Sequence, residues 1–369
     1  MGYKGKAVIC RQWNQPVSVE EIEVDSPAPN QVTVKIEAIG VCHSDLSATN
    51  GTMPLPPPVV LGHEACGKIV EVGEGVTEFA VGDKIIPCWI PICGKCQFCQ
   101  EGRTTLCDDW GKGFLGPKDG TMPRRDKDGN VLHAFSGVGV MAEYSTMHVD
   151  NVIKIDPDTP ADKAALVGCG VMTGVGAVIN RAKVKPGSSC VVIGAGGVGL
   201  NVIQGCAVAG AETIIAVDLV DKKLEFAQTF GATHTINPTT DGDAVAKVKE
   251  LTGGLGADYG FEVIGLGETI VQTYASVRKG GTAVLIGVPK MDAMASFPAA
   301  MMWMEEKAIL GSAYGSGAPK NDIPKLIKLY QRGRLKLDEL ITQTYSIDDA
   351  ARAFADLEKG INARGVIIL

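Results

Sequence analysis

The chain of 369 residues has no excess of basic residues, few aromatic residues and no long uninterrupted apolar run. Its 35 basic residues against 42 acidic ones give a net charge of −7, which opposes binding of nucleic acid through phosphate neutralisation. The longest apolar stretch, AALVGCGVMTGVGAVI (164–179), contains four glycines and is short for a membrane span. We predict a buried helix-and-turn segment there. No internal repeat or low-complexity segment is present.

The first residues, MGYKGKAVIC, alternate polar with apolar side chains and lack the apolar core of a secretory signal peptide. Lys6 stands where a myristoylation motif beginning at Gly2 requires Ser or Thr. We therefore expect a cytoplasmic protein without a membrane or nucleic-acid partner. Thiols stay reduced in that compartment, so the 11 cysteines favour metal binding over a disulfide framework.

One cysteine cluster occupies the segment PICGKCQFCQEGRTTLC (91–107). Four thiolates complete a tetrahedral zinc shell, and a closed shell supports a loop rather than performing catalysis. Gly94 and Gly102 allow the loop to turn. An iron–sulfur site is one alternative, although its bacterial form carries a closer fourth cysteine followed by proline, where this chain has Asp108. Ordinary reduced thiols are the other alternative. The predicted ligands of this structural zinc are Cys93, Cys96, Cys99 and Cys107.

Three further residues suggest a second metal site. Cys42 lies in GVCHSDLSATNGT, His63 in VVLGHEACG and Cys169 in ALVGCGVMTG. Alone, each cysteine is typical of a small core residue, and the histidine is typical of a satisfied polar group. Together they form the Cys2His set of a catalytic zinc, which leaves a fourth position for water or substrate. Their wide separation makes this interpretation depend on the fold.

A glycine-rich turn follows the apolar run CVVI and precedes a helical pattern. A second apolar run, TIIAVD, ends at Asp218. The G-x-G-x-x-G pattern alone can mark a tight turn. Its place between a strand and a helix, with an acid about twenty residues further on, predicts dinucleotide binding. Asp218 accepts hydrogen bonds from ribose hydroxyls and repels a 2′-phosphate, which favours NAD over NADP. The predicted turn residues are Gly194, Gly196, Gly197, Val198 and Gly199.

The remaining pattern divides the chain into two kinds of structure. QVTVKIEAIG and GKIVEVGEGV alternate polar with apolar residues, as antiparallel, barrel-like strands do. In the second half, DYGFEVIG (258–265) and GTAVLIGV (281–288) are predicted to be buried parallel strands, separated by a helix that ends at Gly280. Such alternation of strands and helices indicates a doubly wound domain. Two amphipathic helices and a closing strand, GVIIL, follow residue 320.

Several motifs together resemble the zinc-dependent alcohol dehydrogenases of the medium-chain dehydrogenase/reductase superfamily, nearly end to end: GVCHSD, LGHEACGKIVEVGEGV, CGKCQFC, VGCGVMTGVGA, GAGGVGL, FEVIG and ARGVIIL. The resemblance implies an α/β protein, with a Rossmann doubly wound parallel sheet inserted into a GroES-like β-barrel catalytic domain. It implies that 1–170 and 315–369 form the catalytic domain with two zinc sites. Residues 171–314 would bind NAD, and substrate would enter between the domains. The implied reaction is reversible oxidation of an alcohol to an aldehyde, with hydride leaving a zinc-bound alkoxide.

The resemblance also implies roles for single residues. Asp45 orients the zinc-bound histidine, Glu64 lies behind the metal, and Ser44 contacts the alcohol and starts proton removal. Asp45 could instead be a helix cap, and Lys223 a solvated helix lysine. The implied cofactor contacts are His43 and Arg364 at the pyrophosphate, Lys223 at the adenosine ribose, and Thr173, Val198 and Val288 at the nicotinamide.

Two positions depart from the family pattern. Ser47 stands where relatives often carry a histidine at the outer end of the proton path, and Leu266 replaces an arginine that follows FEVIG in some relatives. These two departures leave the implied reaction class unchanged. The resemblance also implies a homodimer, because dimeric relatives keep a long loop such as 108–143, with a tetramer as the alternative. A zinc-free reductase of the same fold and a non-enzymatic zinc-ribbon protein are the competing hypotheses.

The substrate pocket implied by the resemblance is apolar and suits primary, allylic or aromatic alcohols. Glutathione-linked formaldehyde oxidation is the alternative. It usually needs an arginine in the loop after the cysteine cluster, where Lys112 is the nearest substitute. The implied pocket residues are Trp89, Met53, Phe135 and Ala313.

Overall fold

A computed structural model describes residues 2–369. The chain forms two compact units. The first comprises Met1–Cys169, Ala318–Gln331 and Leu337–Leu369, and the second comprises Gly170–Gly317 and Arg332–Lys336. The assignment of a catalytic domain and a cofactor domain to particular ranges stays a prediction.

Strands and short helices alternate along most of the chain. The strands are β1 (Tyr3–Cys10), β2 (Ser18–Val24), β3 (Gln31–Val41), β4 (Val59–Val60), β5 (Ala65–Val72), β6 (Lys84–Pro87), β7 (Arg124–Asp126), β8 (His133–Ala134), β9 (Tyr144–His148), β10 (Val152–Lys154), β11 (Ser189–Ile193), β12 (Thr213–Val217), β13 (His234–Ile236), β14 (Ala257–Glu262), β15 (Val277–Leu285), β16 (Ala308–Gly311), β17 (Ile341–Tyr345) and β18 (Arg364–Ile368). The α-helices are α1 (His43–Thr49), α2 (Gln97–Gln100), α3 (Ala161–Leu166), α4 (Met172–Gly176), α5 (Gly197–Ala209), α6 (Asp221–Thr229), α7 (Pro238–Asp241), α8 (Ala244–Leu251), α9 (Gly267–Ser276), α10 (Ala299–Glu305), α11 (Pro319–Gln331) and α12 (Ala350–Glu358).

The first unit contains two largely antiparallel sheets. One has the order β7-β2-β1-β4-β8, and the other has the order β10-β6-β5-β3-β18-β17 with β9 also paired to β3. Strand β3 is the longest and pairs with β5, β9 and β18, so most of its side chains are buried. Because β3 ends directly before α1, this central strand fixes the position of Cys42.

Helix α12 shows why the amphipathic pattern after residue 320 folds onto this unit. Its buried side chains, Ala350, Ala353, Phe354 and Leu357, recur at helical spacing and join the main hydrophobic core. Burial of side chains the size of Phe354 and Leu357 contributes about 1.5–3 kcal/mol each. The predicted closing strand is β18, which lies between β17 and β3.

The second unit is built on one parallel sheet with the order β13-β12-β11-β14-β15-β16. The core strands β11 and β12 are buried along most of their length, as apolar strands covered on both faces are. The order reverses between β11 and β14. In doubly wound sheets, ligands bind outside the carboxyl ends of the strands at this switch point. The predicted fold class is confirmed.

Two local predictions were wrong. The helix predicted to run to Gly280 ends at Ser276, because Val277 is buried and begins β15 opposite Ala257 on β14. The predicted helix-and-turn at 164–179 is one continuous helix, Ala161–Ala182, with two π-helical segments. By length and composition alone this helix could cross a membrane, and 78% of its most apolar window is buried inside the protein.

Candidate active site

Three side chains from distant parts of the first unit meet in its interior. Cys42 is the N-cap residue that precedes α1, His63 lies between β4 and β5, and Cys169 lies in the π-helical segment Val167–Val171. Their ligand atoms lie within 4.8 Å of one another, and all three residues are buried. Two sulfurs and one imidazole nitrogen are a donor set that zinc accepts with a fourth position left open.

The orientation of His63 fits this role. Its Nδ1 lies 3.3 Å from Asp45 Oδ2, whereas the buried Nε2 has no hydrogen-bond partner within residues 2–369. Asp45 Oδ1 also accepts the backbone N–H of Gly62 at 2.8 Å. Helix α1 is capped at Cys42 without a side-chain hydrogen bond, so Asp45 holds the loop of His63 rather than capping a helix. A carboxylate at Nδ1 leaves Nε2 as the ligand atom.

The charges in this cluster are strongly coupled. Burial opposes a charge on His63, but Asp45 and Cys42 raise the pKa of its imidazole well above the usual value. The hydrogen bond with Cys169 lowers the pKa of the Cys42 thiol well below its usual value and raises that of Cys169. One of the two sulfurs is therefore favoured as a thiolate, the form that binds metal.

A buried ion pair lies beside these residues. Arg364 Nη2, from the first residue of β18, donates a hydrogen bond to Glu64 Oε2, and both side chains are almost completely buried. Burial opposes the charge of Arg364, but Glu64 raises the pKa of the guanidinium above its usual range. A Cβ at Gly40 would lie 2.7 Å from Glu64 Cδ, so glycine at this position leaves room for the carboxylate.

Ser44, which the resemblance assigns to proton removal, shares α1 with His43 and Ser47, and the three residues differ in exposure. Ser44 is half-buried, with its Oγ 3.9 Å from Cys42 Sγ. His43 is exposed, and Ser47 is half-buried one turn further along. The helix therefore places the hydroxyl of Ser44 beside the cluster.

The second cluster contains Cys93, Cys96, Cys99 and Cys107, whose sulfurs also lie within 4.8 Å of one another. The Cys93–Cys99 and Cys96–Cys107 sulfur pairs are each 4.0 Å apart. A tetrahedral Zn–S distance of about 2.3 Å requires sulfurs about 3.8 Å apart, so this spacing fits a single ion. Gly94 and Gly102 have φ of 72° and 76°, which glycine adopts without strain. The backbone N–H of Asp108 contributes most to lowering the pKa of Cys96, to about 7.

An ionic network holds the loop after this cluster. Asp109 accepts hydrogen bonds from Lys112 at 2.6 Å and Lys118 at 2.9 Å. Lys118 also pairs with Asp150, which follows β9. The charge of Lys112 is therefore already paired within the loop.

In the second unit, the predicted glycine turn joins β11 to α5. Gly194 has φ of 103°, and a Cβ at Gly199 would lie 1.8 Å from the carbonyl oxygen of Gly194. A Cβ at Gly196 would instead point into open space, with no atom within 4 Å. The backbone therefore leaves open space beside the N-terminus of a 13-residue helix, which is where a pyrophosphate binds in dinucleotide-binding folds.

Asp218 lies at the carboxyl end of β12 and supports this turn. Its Oδ2 accepts the backbone N–H of Ala195 at 2.9 Å, and its Oδ1 accepts that of Val220 at 3.1 Å. Each oxygen retains a further lone pair for a ribose hydroxyl. The carboxylate thus fits the adenosine end of NAD.

Comparison with known proteins identifies the family of this chain. A family model described as alcohol dehydrogenase GroES-like domain matches residues 28–157, and one described as zinc-binding dehydrogenase matches 197–332. The NDMA-dependent alcohol dehydrogenase of Amycolatopsis methanolica is 38% identical, over 99% of each chain. The chain belongs to the zinc-binding alcohol dehydrogenase family. This membership weighs against both competing hypotheses, the zinc-free reductase and the non-enzymatic zinc-ribbon protein.

Solved structures of zinc-binding alcohol dehydrogenases share the whole fold. An alcohol dehydrogenase zinc-binding domain protein from Burkholderia ambifaria has a TM-score of 0.95 and 34% identity, with all of both chains covered. Benzyl alcohol dehydrogenase from Acinetobacter calcoaceticus has a TM-score of 0.91 and 35% identity, covering 100% of this chain and 99% of that one. The fold is therefore the GroES-like and Rossmann combination of this family.

The remaining positions carried over from the alcohol dehydrogenase resemblance are spread over both units. In the first unit, the Phe135 ring packs edge-on against His63 with centroids 5.1 Å apart, while Trp89 and Met53 pack against the core. In the second unit, Thr173 on α4 and Lys223 on α6 are half-buried, and Val288 and Ala313 are exposed. The Lys223 side chain has no ion-pair partner in the part of the chain that the structure describes.

Two charged residues with 0% exposure were not predicted from the sequence. Arg124 is fully buried, and its Nη2 donates to Val138 O, Ser145 Oγ and Thr146 O. Glu262 is fully buried at the end of β14. For Glu262, the only available signal was an acid inside the predicted buried strand DYGFEVIG, flanked by Phe261 and Val263.

Proposed function

We propose that this alcohol dehydrogenase uses NAD to oxidise primary, allylic or aromatic alcohols reversibly to aldehydes. The observation that carries the proposal is the buried Cys2His cluster of Cys42, His63 and Cys169, with its two sulfurs and one ring nitrogen within 4.8 Å of one another. Membership of the family supports alcohol oxidation, and the cofactor and substrate class are our inference. Residues 1–170 and 315–369 would form the catalytic domain, and 171–314 would bind NAD.

The residues around the Cys2His cluster have distinct proposed roles. A zinc ion held by the three ligands would supply a Lewis acid that polarises the alcohol oxygen. Asp45 holds the tautomer of His63 that leaves Nε2 as the ligand atom. Ser44 Oγ would accept the alcohol proton while its own hydroxyl proton passes to water, because Ser47 replaces the family's outer histidine. Glu64 balances the buried charge of Arg364 beside the cluster.

The second cluster would hold a structural zinc. All four of its donors are thiols, so a bound ion has no position left for substrate. The sulfur–sulfur distances of 4.0 Å fit ligands of a single metal ion. They argue against an iron–sulfur cluster, because several irons would hold the sulfurs further apart. The zinc would stabilise the loop that Asp109 and Lys118 also hold.

The cofactor inference rests on the glycine turn and on Asp218. NAD supplies the hydride acceptor, while the protein supplies position and charge. The carboxylate of Asp218 would repel the 2′-phosphate of NADP. We expect Asp218→Ser to lower the kcat/KM ratio of NAD over NADP by at least tenfold, measured by steady-state kinetics. Asp221→Ser, in the exposed first turn of α6, is the matched control. A preference for NADP in the unaltered enzyme would overturn the assignment.

A second candidate cofactor system comes from the Amycolatopsis relative, whose name states dependence on NDMA. Turnover that requires NDMA rather than added NAD is the corresponding outcome for this chain. Glutathione-linked formaldehyde oxidation ranks below both, because Lys112 already binds Asp109.

The decisive experiment measures turnover of the zinc-loaded enzyme with NAD or NDMA as acceptor. The panel contains benzyl alcohol, 1-butanol, 2-propanol and formaldehyde with and without glutathione. We expect NADH formation with the primary and aromatic alcohols and weak activity on 2-propanol, since Trp89 would limit branched substrates. Equal efficiency on 2-propanol and 1-butanol would refute the pocket argument. Metal analysis should give two zinc ions per chain.

The cellular location and the oligomeric state of the enzyme are inferred from the sequence. We propose a cytoplasmic homodimer, because the loop 108–143 resembles an insertion kept by dimeric relatives. Sedimentation velocity distinguishes this state from a tetramer.

A further inference from the structure

One buried carboxylate in the second unit has no role in the site described above. Glu262 is 0% exposed and ends β14, where it pairs in register with Ile193 of β11. Gly194, the first residue of the glycine turn, follows Ile193 directly. Glu262 therefore lies at the carboxyl edge of the sheet, at the point where the strand order reverses and doubly wound proteins bind their ligand.

Only one of the two carboxylate oxygens has a structural explanation. Glu262 Oε1 accepts hydrogen bonds from Ile264 N at 2.9 Å, Gly265 N at 2.7 Å and Thr269 Oγ1 at 2.7 Å. These bonds hold the turn that leads from β14 into α9. The buried Oε2 has no hydrogen-bond partner in residues 2–369, and no cation pairs with Glu262 there.

An unpaired buried carboxylate oxygen costs considerably more than a neutral unpaired group. A purely structural role for Glu262 would be met by Oε1 alone, and a glutamine would supply that acceptor without the charge. The combination of three donors on one oxygen and none on the other leaves the carboxylate only partly compensated within residues 2–369. Because Oε2 is shielded from solvent, its charge acts on a bound ligand through its electric field rather than by direct contact.

The topology indicates which part of a dinucleotide meets this residue. Asp218 follows β12, on one side of the switch point, and is placed for the adenosine ribose. Glu262 follows β14, on the other side, where the nicotinamide half must lie. The turn after Glu262 also touches the glycine turn, since Ile264 Cγ1 lies 2.8 Å from the Cβ position of Gly194.

We propose that Glu262 is a positioning residue that holds the nicotinamide side of the cofactor site and favours the oxidised cofactor through its negative charge. The oxidised nicotinamide ring carries a positive charge, and the reduced ring is neutral. A carboxylate nearby therefore stabilises bound NAD⁺ relative to bound NADH. This inference rests on the proposed use of NAD.

The test is the ratio of the dissociation constants of NAD⁺ and NADH, measured by titration calorimetry on Glu262→Gln without substrate. Glutamine keeps an acceptor for the turn but removes the charge. We expect the ratio Kd(NAD⁺)/Kd(NADH) to rise about tenfold, as expected for one charge in a partly water-excluded site. The control, Glu268→Gln, removes an exposed charge from the first turn of α9 and should leave the ratio unchanged.

The possible outcomes distinguish failure of the role proposed for Glu262 from failure of the proposed use of NAD. An unchanged ratio in a folded Glu262→Gln protein, or an equal change in Glu268→Gln, overturns the role of Glu262. If Glu262→Gln does not fold, Thr269→Val is measured instead. Loss of that donor leaves the carboxylate less compensated and should lower the ratio about threefold, so an unchanged ratio again overturns the inference. Failure of the unaltered protein to bind either nucleotide refutes the proposed function itself.

Discussion

Replacement of Asp45 by asparagine tests the proposed Cys2His zinc site through the carboxylate that contacts His63 Nδ1. Asp45 Oδ1 accepts the backbone N–H of Gly62, so the asparagine oxygen is expected to stay at that position. Its NH2 group would then face His63 Nδ1, where the aspartate oxygens now lie 3.3 and 3.4 Å away. An NH2 group needs an acceptor at Nδ1, which moves the imidazole proton to Nε2, the proposed ligand atom.

The size of the effect follows from this change of tautomer. To bind zinc, His63 must return its proton to Nδ1 and face the NH2 group without a hydrogen bond. Loss of such an outer partner typically weakens metal binding by 10–100-fold, or about 1.4–2.7 kcal/mol. We expect Asp45→Asn to lose affinity for the Cys2His zinc within this range while remaining folded, since the asparagine is isosteric.

The assay dialyses the protein against graded concentrations of a chelator and measures zinc per chain. The four-cysteine cluster serves as the internal reference, because Asp45 takes no part in it. The zinc content of the Asp45→Asn protein should fall from two ions per chain to one at chelator concentrations that leave the unaltered protein with both ions. Asp158→Asn, on an exposed loop, should behave like the unaltered protein. Retention of both ions, or parallel loss of both, would refute the reasoning.

Three further variants probe other parts of the molecule. Gly196→Ala places a methyl group in open space, so the melting temperature should hold while calorimetry shows NAD affinity at least tenfold weaker. Cys99→Ser should lose one zinc ion per chain and unfold at lower temperature, whereas Cys10→Ser should keep both ions by metal analysis. Burial and a hydrogen bond to Asp356 raise the pKa of Tyr345 to about 12, against an ordinary value of about 10. Folding thus favours the protonated phenol, and this contribution is complete below pH of about 10 and lost as pH rises through about 12. Urea unfolding should therefore show Tyr345→Phe about 1 kcal/mol less stable at neutral pH, with the difference disappearing across that window.

The sequence predicted those features that neighbouring residues determine together. The glycine turn is one, because Gly194 needs its positive φ and Gly199 must let the helix approach the carbonyl of Gly194. The alternation in β3 and the helical spacing in α12 also predicted their elements correctly. In each of these segments, the residues that suit the local backbone conformation are also the residues that packing against the core needs.

Segment ends were harder to predict, because packing against distant strands decides them. The stretch 269–280 has a helical pattern, yet its last residues pair with β14 once Val277 becomes buried. The apolar stretch 164–179 contains glycines that favour a turn, yet burial inside the protein keeps it helical. In both segments tertiary contacts override local propensity.

The partners of buried charges were the least predictable feature of the site. Glu64 and Arg364 are 300 residues apart in sequence. The resemblance assigned Arg364 to the pyrophosphate, and nothing in the local sequence indicated that Glu64 compensates its charge. Such a pair exists only because β18 returns to lie beside β3 and the end of β3 adjoins the loop of His63.

A comparison of three buried charges separates structural from functional ones in this chain. Arg124 has no carboxylate partner, burial lowers its pKa to about 10, and its Nη2 is satisfied by two carbonyls and a hydroxyl that tie β7 to β9. Arg364 has a carboxylate beside the metal cluster. Glu262 has three donors on one oxygen and none on the other. Burial is common to all three, and Arg124 Nε and Arg364 Nε also lack a hydrogen-bond partner among residues 2–369. The informative feature is therefore the place of each charge in the fold. Arg124 joins β7 to β9, Arg364 and Glu64 balance each other beside the Cys2His cluster, and Glu262 lies at the switch point of the parallel sheet, where we assign it to the cofactor site.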